Sequence, residues 1–114
     1  MISFPKRMKV AGTHVGKRPE ALKKYVNRGT QFVLQREAEN IFDPNAIKVK
    51  QRFKNGGEFH LGYIPANYAA EMAPEMDQGI EYTATFAIKL MNDQTGEPAG
   101  LVINVNRKDE LKGN

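Results

Sequence analysis

Apolar and polar residues alternate in short runs along this chain, separated by turn formers, and only two segments carry helical spacing. Met8–Val15 has the β-branched and apolar content of a strand, with Gly12 a candidate bulge. Arg18–Arg28 reads as a helix: Pro19 suits the first turn, Gly29 suits the C-terminal cap, and Ala21, Leu22, Tyr25 and Val26 share one face. Gln31–Glu37 alternates again. After a turn-rich stretch, Ile47, Val49 and Phe53 alternate with Lys48, Lys50, Arg52 and Lys54, up to the hairpin signal Asn55-Gly56-Gly57. Glu58–Ile64 is the returning strand. Pro65 opens a second helix with Tyr68, Ala69, Met72 and Met76 as its buried stripe, which Pro74 is expected to kink or divide. Two longer strands, Ile80–Leu90 and Leu101–Val105, close the chain, the first with Ile80, Tyr82, Ala84, Phe86, Ile88 and Leu90 on one side. Six strands and two helices predict a mainly β fold, a small OB-like or SH3-like antiparallel barrel, since closure removes exposed edges.

The length of 114 residues fits one domain, with residues 108–114 as a tail. With no cysteine there is no disulfide framework, Cys-based zinc site or thiol nucleophile to consider. The net charge of +4 is modest, but its distribution is not. Residues 1–36 hold nine bases and a single acid, Glu20, for +8; the rest holds eight bases and twelve acids, for −4. A basic front on an acidic body suits orientation on a polyanion, and equally suits a solvated surface. No apolar run approaches the ~20 residues of a membrane span, and the basic N-terminus precedes any signal-peptide core, so a cytoplasmic location is expected. Lys108-Asp109-Glu110-Leu111 spells a retention tetrapeptide, but three residues follow it, which removes that meaning.

Candidate enzyme chemistry is sparse. The two histidines, His14 and His60, fall on different expected strands, and only Glu58 shares a strand face with His60. A metal site would need a third ligand that no spacing supplies. Ser3 is the only serine, and Gly56-Gly57 belongs to a hairpin rather than a phosphate loop. The chain is therefore expected to be no enzyme and to need no cofactor. Lys48, Lys50, Arg52 and Lys54 repeat about every 6.6 Å along one strand side, a spacing that suits a phosphate backbone or simply a half-exposed polar face.

The most distinctive segment is Arg36-Glu37…Asn40-Ile41-Phe42-Asp43-Pro44-Asn45-Ala46-Ile47-Lys48-Val49. Asp43-Pro44-Asn45 is good turn chemistry, which makes Asp43 a turn cap in the plain reading. An aromatic beside a carboxylate on a rigid loop is also suited to stack a base and accept a hydroxyl hydrogen bond. This segment resembles the most characteristic motif of the HIRAN domain, and Leu61-Gly62-Tyr63-Ile64-Pro65 before a helix resembles its second signature. Val10-Ala11-Gly12 and the helix before Gly29 fit the start of that domain, so the resemblance spans about residues 8–90.

The resemblance implies an OB-type barrel, found alone in bacteria and phages and fused to fork-remodelling ATPases in eukaryotes. It implies capture of the 3′-hydroxyl end of single-stranded DNA, with the pair matching Phe42 and Asp43 on the terminal nucleotide and Tyr63 lining the pocket. Ile41 and Phe42 stand where the motif commonly has Pro and Tyr, so stacking is kept and a phenolic hydrogen bond is lost. Thr13-His14 occupies the neighbourhood of an Arg–Tyr contact. Pro65 and Ala66 replace lysines, which leaves the phosphate grip to Lys17, Arg18, Lys48 or Lys50. The expected function is a non-catalytic module for DNA ends in repair or replication, with a helicase or nuclease as a further partner. Its rivals are a protein-interaction barrel presenting Lys48–Lys54 to an acidic partner, and a metal-dependent nuclease using His14 or His60.

Overall fold

A computed structural model describes residues 1–108. The remaining tail, with Asp109, Glu110 and Leu111 of the tetrapeptide, lies outside the described residues. The elements in chain order are β1 (Lys6–Lys9), α1 (Arg18–Tyr25), β2 (Gln31–Arg36), β3 (Ile47–Arg52), β4 (Glu58–Tyr63), α2 (Ala66–Asp77), β5 (Glu81–Met91) and β6 (Pro98–Lys108). The mainly β class with two helices is as expected. The strands form two three-stranded antiparallel sheets, β1-β6-β5 and β2-β3-β4, rather than one closed barrel. The sheets are tied where Ala11 and Tyr63 exchange backbone hydrogen bonds of 2.8 and 2.9 Å. This join needs Gly62, because a Cβ there would collide with the Ala11 carbonyl oxygen and lie 2.8 Å from Val10 Cγ1.

One apolar cluster fills the space between the sheets and under both helices. Met8 enters it from β1 and Val10 just after it, Leu22 from α1 and Val26 just after it, Ile47 and Val49 from β3, Met72 from α2, and Leu101, Ile103 and Val105 from β6. Alternation along β3 and β6 explains this directly, since every second side chain points to the shared interior.

Several boundaries depart from expectation for identifiable reasons. The strand expected over Met8–Val15 stops at Lys9, and Gly12 serves a turn at φ +76° instead of a bulge. Helix α1 ends at Tyr25, with Val26 extended, so Gly29 does not cap it. Its terminal carbonyls are satisfied from distant strands: Gln51 Nε2 donates to the Tyr25 carbonyl (3.0 Å), while Lys89 Nζ donates to those of Leu22 (2.9 Å) and Val26 (2.7 Å). Lys89 reaches that side because β5 shifts register between Phe86 and Ile88, which turns Ile88 outward instead of continuing the apolar row. Pro74 neither divides nor ends α2. The burial of Ala69, Met72 and Ala73 holds the helix together across the missing hydrogen bond.

Candidate functional site

The loop between β2 and β3 is built around Asn40. Its side-chain oxygen accepts from the backbone N–H groups of Phe42 (2.8 Å) and Asp43 (2.9 Å), the arrangement by which an Asx side chain fixes the two residues after it. Asp43 Oδ1 in turn accepts from the Asn45 N–H at 2.9 Å, so Asp43 is the turn cap its neighbours suggested. The loop base is closed by Glu37 N–H and Arg36 Nη1, which both donate to the Ala46 carbonyl, at 2.9 and 2.8 Å. Arg36 is itself clamped by Asp77 of α2 through bonds of 2.8 and 3.1 Å.

On this pinned loop Phe42 is 91% exposed. No packing in the described structure accounts for an aromatic so placed. Asp43 is half-buried, and no described hydrogen bond uses its second oxygen, Oδ2. Phe42 and Tyr63 border two adjoining depressions. One, of about 360 Å³, is lined by Ala11, Asn40, Phe42, Asp43, Ala46, Tyr63, Ile64 and Ala66. The other, of about 470 Å³, runs over Glu37, Glu39, Asn40 and Ile41. Phe42, Asp43 and Tyr63, expected together from the motifs, are thus brought to one concave surface.

Two residues that were not expected in a nucleic-acid site, Glu37 and His60, organise this surface. Glu37 Oε1 accepts from the Tyr63 hydroxyl and from Asn40 Nδ2, both at 2.8 Å, and its Oε2 lies 3.1 Å from Lys48 Nζ. The Asn40 and Tyr63 hydrogen bonds, with the Lys48 ammonium, hold the Glu37 carboxyl down at about 2. Burial and the Glu37 carboxylate push the Tyr63 phenol up, so it stays a donor. His60 stacks edge-on to Tyr63, with centroids 4.8 Å apart and planes at 89°. Its Nε2 lies 2.9 Å from the Gly62 carbonyl and its Nδ1 lies 3.2 Å from Arg18 Nη2. A guanidinium can only donate and a carbonyl can only accept, so the ring must carry its proton on Nε2. Burial and the Arg18 charge both lower its pKa, which keeps it neutral. The Asn-x-Phe spacing was the sequence signal for Asn40; nothing local pairs His60 with a residue 42 positions away.

The expected phosphate grip is dispersed. Arg18 reaches the pocket wall through His60, and its Nη1 also donates to the Gly12 carbonyl at 2.8 Å. Lys17 is exposed just ahead of α1, and His14 is exposed in the preceding turn, outside the lining. Lys48 is paired with Glu37, Lys50 with Glu58 (2.6 Å) and Arg52 with Glu58 (2.7 Å), so the basic row on β3 is largely neutralised. With both ring nitrogens engaged, His60 has no lone pair to offer a metal.

Comparison with known families matches residues 7–104 to the HIRAN domain. The chain belongs to the HIRAN family. Two solved structures share its fold. One is the HIRAN domain of human HLTF, with a TM-score of 0.60 and 23% identity over 90% of this chain and 73% of that one. The other is a protein from Lactobacillus plantarum, with a TM-score of 0.60 and 24% identity over 88% of this chain and 91% of that one. Comparison with curated proteins gave no match. The HIRAN match includes the Asn40 loop, Gly62-Tyr63 and both sheets.

Proposed function

We propose that this HIRAN domain is a non-catalytic nucleic-acid-binding module that captures the 3′-hydroxyl end of single-stranded DNA. HIRAN domains are generally binding modules without catalysis, known for nucleic-acid binding in HLTF and its homologues. The observation that carries the finer reading is the exposed Phe42 ring beside a half-buried Asp43 with one carboxylate oxygen uncommitted. Phe42 stacks the terminal base, a contribution of about 1–3 kcal/mol with little base preference. Asp43 Oδ2 accepts the 3′-hydroxyl proton in a charge-assisted hydrogen bond. A phosphate in its place would put two anions ~4 Å apart, about 4 kcal/mol of repulsion near a protein surface, which rejects both 3′-phosphates and continuing strands. Tyr63, held by Glu37, walls the pocket, and Arg18 and Lys17 supply positive charge at its edge. In the cell, such a module presents ends in the cytoplasm to a separate helicase or nuclease during repair.

Fluorescence anisotropy with matched oligonucleotides ending in 3′-hydroxyl or 3′-phosphate tests this. The hydroxyl end is expected to bind at least ten-fold tighter, and Asp43→Asn, which keeps the Asn45 cap, to abolish the difference. Equal affinity of the parent protein for both ends would refute end capture.

A further inference from the structure

A second aromatic surface lies at the other end of α1. Tyr25 closes that helix with 53% of its surface exposed, and Phe53 follows the end of β3. Their rings meet edge to face, with centroids 5.9 Å apart and planes at 89°. In that geometry one ring abuts the other only by its rim, so ring face is left open to a further planar group. The core explains neither the exposure nor the pairing, since Ala21 and Leu22 of this helix and Val26 just after it already cover the interior.

The charge around it that no described ion pair engages has one sign. Arg28 follows three residues after Tyr25, and Lys54 follows directly after Phe53; both are exposed. β2 starts opposite the end of β3, with Gln31 paired to Arg52, which brings these two segments to the same end of the sheet. No described ion pair engages Arg28 or Lys54, while the nearby acids are spent: Glu20 on Lys24, and Glu58 on Lys50 and Arg52.

The helix itself connects this surface to the pocket. Arg18 at its start contacts His60, which packs on Tyr63, and Tyr25 at its end contacts Phe53. The eight residues of α1 span about 10 Å, or roughly three nucleotides at the ~3.4 Å rise per phosphate of a stacked strand. We infer that Tyr25 and Phe53, flanked by Arg28 and Lys54, form a second stacking subsite that binds single-stranded nucleic acid a few nucleotides upstream of the captured end. The position upstream rests on the pocket reading above; the stacking role does not.

Anisotropy of the full chain with a 5′-labelled trinucleotide and a dodecanucleotide, both with 3′-hydroxyl ends, separates the two sites. Tyr25→Ala is expected to weaken dodecanucleotide binding about ten-fold and leave the trinucleotide unchanged, with Tyr25→Phe behaving as the parent. The double variant Arg28→Ala/Lys54→Ala, which removes no packed group, is expected to show the same selective loss. An unchanged dodecanucleotide affinity in both variants, or a parallel loss for both lengths, overturns the subsite. Phe42→Ala reports on the pocket, weakening both lengths alike. If Phe42→Ala and a 3′-phosphate change nothing while Tyr25→Ala still weakens the dodecanucleotide, the pocket reading falls and the stacking subsite stands.

Discussion

Glu37 ties a single carboxylate to Tyr63, Asn40 and Lys48, and through them to the wall, the loop and the edge of the pocket. Its folded pKa of about 2 lies below the ordinary 4.5, so the unfolded chain binds the proton more readily. The stabilisation it provides is therefore complete above pH 4.5 and is lost as pH falls toward 2. Glu37→Gln keeps an oxygen for Tyr63 and Asn40 but has nothing to titrate. We expect urea unfolding to show a loss of stability between pH 5 and pH 3 that is visibly smaller in Glu37→Gln than in the parent. Identical pH slopes would mean that the network does not hold the loop. The residues proposed to meet a ligand, Phe42 and Asp43, were legible from local turn chemistry together with the HIRAN resemblance. Those that hold them in place were not, because the contacts of Glu37 with Tyr63 and of Arg18 with His60 exist only once distant strands have paired.

At the scale of elements, alternation placed β2 and β3 within a residue or two, and the Asn55-Gly56-Gly57 hairpin signal placed β4. Such signals failed where a tertiary contact replaced a local rule. Gly29 looked like a helix cap, yet Gln51 and Lys89 supply those hydrogen bonds from β3 and β5. β6 runs well beyond Leu101–Val105 because β5 offers it a partner as far as Glu81 and Met91, although Gly100, Asn104 and Asn106 weaken its own strand character. Pro74 remains a cost inside α2, and its side chain is exposed, so its removal opens no cavity. Pro74→Ala restores one helical N–H at the expense of a freer unfolded chain, for a net stabilisation of about 1–2 kcal/mol. Chemical denaturation gives this directly. A destabilised variant would show that the ring packs against something the helix needs.

Across the whole molecule, the +8 of residues 1–36 and the −4 of the rest do not meet as two separate faces. Lys23 pairs with Glu97, Arg36 with Asp77, and the β3 row with Glu37 and Glu58, so acids of the second part neutralise bases on both. Among the exposed bases that no described ion pair engages, Lys6, Arg7 and Lys9 sit on β1, and Lys17, Arg28 and Lys54 flank α1 and the end of β3. Three or four phosphate contacts on a single strand give a slope of log K against log salt of about −2 to −3. Replacing Arg28 and Lys54 with Ala is expected to reduce that slope by about 1.4, two contacts at ~0.7 each. Lys50→Ala is expected to leave it unchanged, because Lys50 is already held by Gln35 at 2.7 Å and Glu58 at 2.6 Å. A slope that responds to Lys50 and ignores Arg28 and Lys54 would put the strand on the face of β3 rather than along α1. The two paths leave the same pocket, so the salt titration of these variants decides between them without disturbing end recognition.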